Sequence, residues 1–300
     1  MNTPNRIFAA GAIALAALAV PTARAADVPP AVSFEAPPVT YDNQVWFRVQ
    51  PLSHEPGINV PGKPNKGKDI VKNMAHFEHI DTGGMVWNSL TVTGLFSDKN
   101  DPAISGSGAT EFYTTYRGDV SATGFGLPPI TMPGVRDLMF EFGGDLNWKD
   151  TQYAPQRKFL LLGPIFYFDL PGSVTFAVHF AKEWGHQGIT NKSENYNPTW
   201  NTELSWTQYL DPIINLPVRW EGVFNMTGPK GTDTLGVHTK TEFYTYSSLI
   251  LDVGEVFHSK PHVFDAFVGV QYWYNKFGNP TKNDGGAIEL TPYFGVGIHF

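Results

Sequence analysis

The chain has 300 residues, no cysteine and a formal charge of −7, so it is held by no disulfide. The acidic balance argues against a nucleic-acid polymer or an anionic lipid surface as partner. Charged residues make up only 16% while aromatics reach 14%, against roughly 25% charged residues in soluble domains. That composition points away from an ordinary soluble domain and fits alternating strands that meet lipid on one side.

The first segment, 1–25, reads as a secretory signal peptide. Arg6 opens a positive start, an apolar Ala-rich run follows to Val20, Pro21 breaks it, and Ala23-Arg24-Ala25 is a small-x-small cleavage site. The mature chain is expected to begin at Ala26. Removing Arg6 and Arg24 and no acid takes the formal charge to −9. No second apolar run is long enough for a membrane-spanning helix. The segment 26–41 carries Pro29, Pro30, Pro37 and Pro38 without periodicity and reads as an extended periplasmic leader.

From 42 to 300 the pattern is one of strands. Alternation and turn punctuation predict them at 42–50, 68–80, 84–96, 107–117, 136–148, 157–169, 172–184, 199–209, 216–227, 238–252, 262–275 and 287–300. That is about twelve, an even number, and most are long enough for a tilted membrane crossing. The connections after the first strand and every second one thereafter are long and polar. Three of the others are tight, around Asp81-Thr82-Gly83, Leu170-Pro171 and Asp211-Pro212. The connection 118–135 is long although parity places it at the short-turn end.

Several strands separate cleanly into two faces. In 172–184, Val174, Phe176, Val178 and Phe180 oppose Thr175, Ala177, His179, Ala181 and Glu183. The last strand sets Phe294, Val296, Ile298 and Phe300 against Tyr293, Gly295, Gly297 and His299. A wholly apolar outer face closing on a terminal Phe suits a strand covered by lipid. Aromatics near strand ends, among them Trp148, Trp184, Tyr209, Tyr272, Tyr274 and Phe300, fit interfacial girdles. The strand at 238–252 and the pair at 68–80 and 84–96 alternate least clearly. The expected fold is an all-β transmembrane antiparallel β-barrel of about twelve strands, up-and-down, in the outer membrane of a Gram-negative cell. The alternative is a soluble β-sandwich or adhesin, which detergent dependence would separate from a barrel.

The inward set carries the chemistry. Arg48, His76, Glu78, Arg117, Asp145, Glu183 and Gln271 mix there with aromatic rings. The candidate solute contacts are Glu111, Tyr113, Glu141, Glu203, Arg219, Glu221, Phe267 and Trp273, spread over five strands. Rings offer stacking surfaces and carboxylates or Arg offer hydrogen bonds. The alternative is a lumen filled by salt bridges that satisfy one another.

Three stretches resemble the Tsx-like nucleoside-specific channels of Gram-negative outer membranes. The run from Phe166 to Trp184, FYFDLPGSVTFAVHFAKEW, is similar to that family's strand, Leu-Pro turn and strand ending in Ala-Lys and Trp. The stretch from Trp200 to Pro217 resembles its next hairpin. GVRDLMFEF, from Gly134 to Phe142, resembles its Gly-Pro-Val-Lys-Asp approach to a strand, with Pro133 and Gly134 in reversed order. The resemblance implies a twelve-stranded barrel whose narrow lumen passes nucleosides over successive aromatic and ionisable side chains. No cofactor is expected.

The competing function is a barrel lipase or protease. No Gly-x-Ser-x-Gly elbow is present, and His76-Phe77-Glu78-His79 lacks zinc-ligand spacing. The expected partners are nucleosides or similar small solutes, outer-membrane lipids, and the barrel-assembly machinery through Phe300. An acidic lumen is expected to favour neutral or cationic solutes over anions.

Overall fold

The computed structural model describes residues 40–101, 107–151, 155–187, 191–282 and 284–300. The expected signal peptide and the leader up to residue 39 lie outside the described residues. Twelve long strands form the wall: β1 (Thr40–Ser53), β2 (Ile70–Thr82), β3 (Val86–Ser97), β4 (Thr110–Val120), β5 (Val135–Lys149), β6 (Gln156–Phe168), β7 (Ser173–Gln187), β8 (Thr199–Tyr209), β9 (Val218–Thr227), β10 (Glu242–Asp252), β11 (Phe264–Tyr274) and β12 (Ile288–His299). Each pairs antiparallel with the next, and β12 pairs with β1 through Gln44–His299 to Val49–Phe294. The sheet is therefore a closed twelve-stranded barrel, and closure satisfies the backbone groups that an open edge would leave bare.

All twelve predicted strands coincide with observed ones to within a few residues. The connections follow the expected parity. At one end lie the turn at 83–85 and the connections 121–134, 169–172, 210–217 and 253–263. The remaining connections, most of them long and polar, lie at the other end. The first turn needs its glycines, because Gly83 and Gly84 sit at φ 96° and 67°. The long connection 121–134 is folded against this turn. Its Gly124 lies so close to the backbone of Gly84 and Met85 that a side chain has no room.

The outward face is apolar and uncovered. Phe140, Phe142, Leu146 and Trp148 on β5 are exposed, as are Val178 and Phe180 on β7 and Phe294, Val296 and Ile298 on β12. Each such side chain left in water forgoes roughly 1.5–3 kcal/mol of burial, which a surrounding hydrocarbon phase supplies. The inward residues of the same strands, Glu141, Asp145, His179 and Glu183, are buried and polar. The first and last strands are stitched together by Phe300. Its backbone N–H donates to the Asn43 carbonyl at 2.9 Å, and Asn43 Nδ2 donates to its carbonyl at 3.2 Å.

The interior is filled unevenly. Along β5 to β7 it is packed dry, with Met139, Ile165, Tyr167 and Ala177 in one cluster beside Trp87 and Phe159, Leu161 and Ala181 in another. The remaining arc encloses open space.

Candidate functional site

A cavity of about 380 Å³ occupies the lumen and is lined from every strand except β7. On β11 it runs from Asp265 to Trp273, roughly 26 Å of strand at the usual rise per residue. It therefore follows the wall over most of its height rather than forming a surface dent.

Its two sides differ in chemistry. The side built from β9 to β12 and β1 is aromatic, with Trp46, Tyr244, Tyr246, Phe267, Trp273 and Tyr293 on the cavity wall. Glycines set how these rings lie. Phe267 lies over Gly295 and Tyr293 over Gly269, each so close that a side chain at the glycine would collide with the ring. The rings are thus held down on the wall instead of projecting across the lumen. The side built from β2 to β6 is ionic. Arg117 Nη1 donates to Asp145 at 2.9 Å, Tyr113 OH donates to the same carboxylate at 2.9 Å, and Arg157 Nε donates to Glu183 at 3.1 Å.

At the long-loop end the lumen is crossed by a buried charge cluster. Glu55, two residues beyond β1, turns inward and lines the cavity. Its carboxylate is ion-paired with Lys72, with Lys276 at 3.2 Å and with Lys149 at 3.4 Å. Each lysine holds a second carboxylate: Glu111 at 3.5 Å, Glu289 at 3.0 Å and Asp101 at 2.7 Å, respectively. Burial alone would push the Glu55 carboxyl up, but the ammonium groups of Lys149, Lys276 and Lys72 outweigh it and hold it well below the usual carboxylate range. Burial likewise acts to lower the Lys276 ammonium, and Glu289 and Glu55 overcome it and raise it.

Seven of the eight sequence-predicted contacts lie on the cavity wall: Glu111, Tyr113, Glu203, Arg219, Glu221, Phe267 and Trp273. Glu141 does not. It is buried behind the wall, 2.8 Å from His179 Nε2 and 3.8 Å from Arg117 Nε, where it braces the packed side. Strand register places Glu203, Asn225, Tyr244, Trp273 and Glu289 in one row across five strands. Glu203 accepts from Asn225 Nδ2 at 3.1 Å and has no cation within ion-pair distance among the described residues. Trp273 Nε1 donates to Glu242 at 2.7 Å. Arg219 reaches Glu221 at 2.6 Å and Asp265 at 2.5 Å, near the short-turn end.

Sequence reading did not single out Glu55, Lys72, Tyr244, Tyr246 or Lys276 for the lumen. Lys72 and the two tyrosines lie on strands whose alternation is weak. Glu55 and Lys276 lie outside the long strands, where period two gives no direction. Among the described residues no three His, Asp or Glu side chains converge as metal ligands.

No protein-family model matches the chain, and no curated protein matches it. The fold is similar to the translocator domain of the autotransporter NalP from Neisseria meningitidis, at 11% identity over 87% of this chain and 88% of that one, with a TM-score of 0.41. It is also similar to the NanC porin, at 10% identity over 86% and 99% of the two chains and a TM-score of 0.42. OccAB3 of Acinetobacter baumannii matches at 8% identity over 87% and 99%, with a TM-score of 0.36. Likenesses this low leave the barrel to rest on its own strand register, and they say nothing of what enters the lumen. The narrower resemblance to the Tsx-like channels stays with the short stretches that carry it.

Proposed function

We propose that this chain is an outer-membrane channel for selective diffusion of small solutes, and that nucleosides are the solute class. The observation that carries the channel reading is the cavity itself, continuous along most of the wall inside a barrel whose outer face is bare hydrocarbon. Its volume of about 380 Å³ is at the small-molecule scale of roughly 300–1,000 Å³. The nucleoside reading is supported by the pairing of a ring-covered side with a hydrogen-bonding side. A base stacks on rings, and ribose hydroxyls donate to carboxylates such as Glu203 and Glu221. Passage needs several weak contacts in succession, because one tight site would trap the solute.

The test is ion conductance across planar bilayers with nucleosides, nucleotides and sugars added in turn. Nucleosides are expected to reduce the current at lower concentrations than sugars, and Trp273→Ala to weaken that block. If no nucleoside alters the current while another solute class does, the channel stands and the solute assignment falls.

One constellation favours a second reading. His76 Nδ1 lies 2.7 Å from the Thr93 hydroxyl and its Nε2 lies 3.8 Å from Glu78, all three on the cavity wall. This has the connectivity of a hydrolytic relay. The backbone around Thr93 is paired on both sides, with β2 and with β4, so it has no free N–H pair to hold an oxyanion. The His76 ring is also stacked on Trp46 at 3.8 Å, which fixes it as part of the wall. Ester or peptide hydrolysis abolished by His76→Ala would overturn the channel reading in favour of this one.

A further inference from the structure

Six cationic side chains line the cavity: Arg48, Lys72, Arg117, Arg157, Arg219 and Lys276. Five of them are ion-paired with a carboxylate. Among the described residues Arg48 has no carboxylate within ion-pair distance. Its Nε and Nη2 point at the Met74 sulfur, at 3.2 and 3.1 Å, and Nη2 reaches Gln271 Oε1 at 3.4 Å. A thioether is a weak acceptor, so these contacts orient the guanidinium without neutralising it. Nη1 has no hydrogen-bond partner among the described residues.

The surroundings keep this group in place. The guanidinium carbon lies 4.6 Å from the Tyr293 ring centroid and 5.3 Å from that of Trp46, a cation held between two ring faces. Gln271 is itself fixed, accepting from Gln50 Nε2 at 3.1 Å and donating to Glu289 at 2.6 Å. Gln50 is buried beside it, and its own Oε1 lacks a partner among the described residues. The result is a preset guanidinium at the edge of the aromatic side, its charge unmatched, with Nη1 open and Nη2 held only by the Met74 sulfur and the long 3.4 Å contact to Gln271, which a paired acceptor edge would replace.

We infer that Arg48 is a specificity-determining residue of the lumen, and that it binds the edge of a planar solute group carrying two adjacent acceptors. A guanidinium makes paired bonds to such an edge. Two sources present it: the O6 and N7 atoms of a 6-oxopurine, which Arg reads in the same way in nucleic acids, and a carboxylate. Under the nucleoside reading, on which this step rests, the oxopurine is the source. A 6-aminopurine places a donor where the second acceptor should be, and it is disfavoured.

The experiment is current block in planar bilayers by inosine, guanosine, adenosine and benzoate, for the wild type, Arg48→Lys and Arg48→Met. Folding of each variant is checked by its heat-dependent gel mobility. Inosine and guanosine are expected to block at concentrations roughly five- to a hundredfold lower than adenosine. Arg48→Lys keeps the charge and loses the fork, so it is expected to abolish that ratio, as is Arg48→Met. A ratio near one in the wild type, or an unchanged ratio in folded Arg48→Lys, overturns the role of Arg48 while leaving the nucleoside reading in place. Arg48-dependent block by benzoate with no effect of any nucleoside supports the acceptor-pair site and overturns the nucleoside reading.

Discussion

Glu55→Gln isolates the charge cluster at the long-loop end. The change keeps the shape of the side chain and one acceptor oxygen but removes the charge shared by Lys72, Lys149 and Lys276. None of the three lysines is left bare, since Glu111, Asp101 and Glu289 remain with them. The loss is therefore smaller than the ~3–5 kcal/mol of a broken buried pair. It is nearer one or two charge-assisted hydrogen bonds, about 2–4 kcal/mol. That energy acts on a local equilibrium, because Glu55 belongs to a connection and the strands below it keep their ladders. Release of the Glu55 segment becomes roughly 30- to 1,000-fold more frequent. Single-channel recording is the direct assay. The variant is expected to show higher or noisier conductance than the wild type, with unchanged heat-dependent gel mobility. Wild-type conductance and noise from a folded Glu55→Gln barrel would mean that the cluster does not limit the lumen.

Three further outcomes follow from the same geometry. Val178→Arg places a charge on the uncovered outer face of β7 and is expected to cost ~2–4 kcal/mol, whereas Val223→Thr, on the cavity wall, should cost well under half of that; equal losses in urea unfolding from vesicles would invert the face assignment. Deleting Phe300 removes the backbone pair with Asn43 and should lower the folded, heat-modifiable fraction in membranes, measured on gels. The Glu55 carboxyl is held below its ordinary value, so its stabilising effect is present above the unfolded pKa and is lost as pH falls through the lower folded one. Lys276 is raised, so its effect is lost only as pH climbs past the ordinary lysine value. Channel noise should accordingly stay flat from mildly acid to mildly alkaline pH and, on the acid side, rise only below the carboxylate range of ~4.3; a rise centred near pH 6 would point to histidine instead.

The barrel was legible because lipid on one side and a polar lumen on the other impose strict alternation. In β7 Val174, Phe176, Val178 and Phe180 alternate outward, and β12 repeats the pattern with Phe294, Val296 and Ile298. Alternation tells a residue's side and not its surroundings. Ala177 and Glu203 are both inward and are register partners, yet Ala177 is sealed among Met139, Ile165 and Tyr167 while Glu203 faces open space. Glu141 failed as a predicted cavity contact for the same reason. It points inward correctly and is then covered by its own neighbours.

The charge of the lumen is the clearest case of what a count of residues hides. The formal charge of −9 expected for residues 26–300 suggests a wall that turns anions away. In the structure the cavity acids are largely spent on cationic partners: Glu55 on three lysines, Glu111 on Lys72, Glu289 on Lys276, Asp145 on Arg117, Asp265 on Arg219 and His299. What the cavity wall presents are the side chains left over. Among the described residues these include Glu203, a carboxylate with no cation within ion-pair distance, and Arg48, a cation with no carboxylate within that distance. Under the proposed channel reading both signs of charge are thus open to a solute, and a neutral solute with separate donor and acceptor edges could use both. A fully charged solute would be attracted by one of the two groups and opposed by the other. Selectivity of this kind depends on which pairings leave a group over, and pairings across strands far apart in sequence cannot be read from the order of residues.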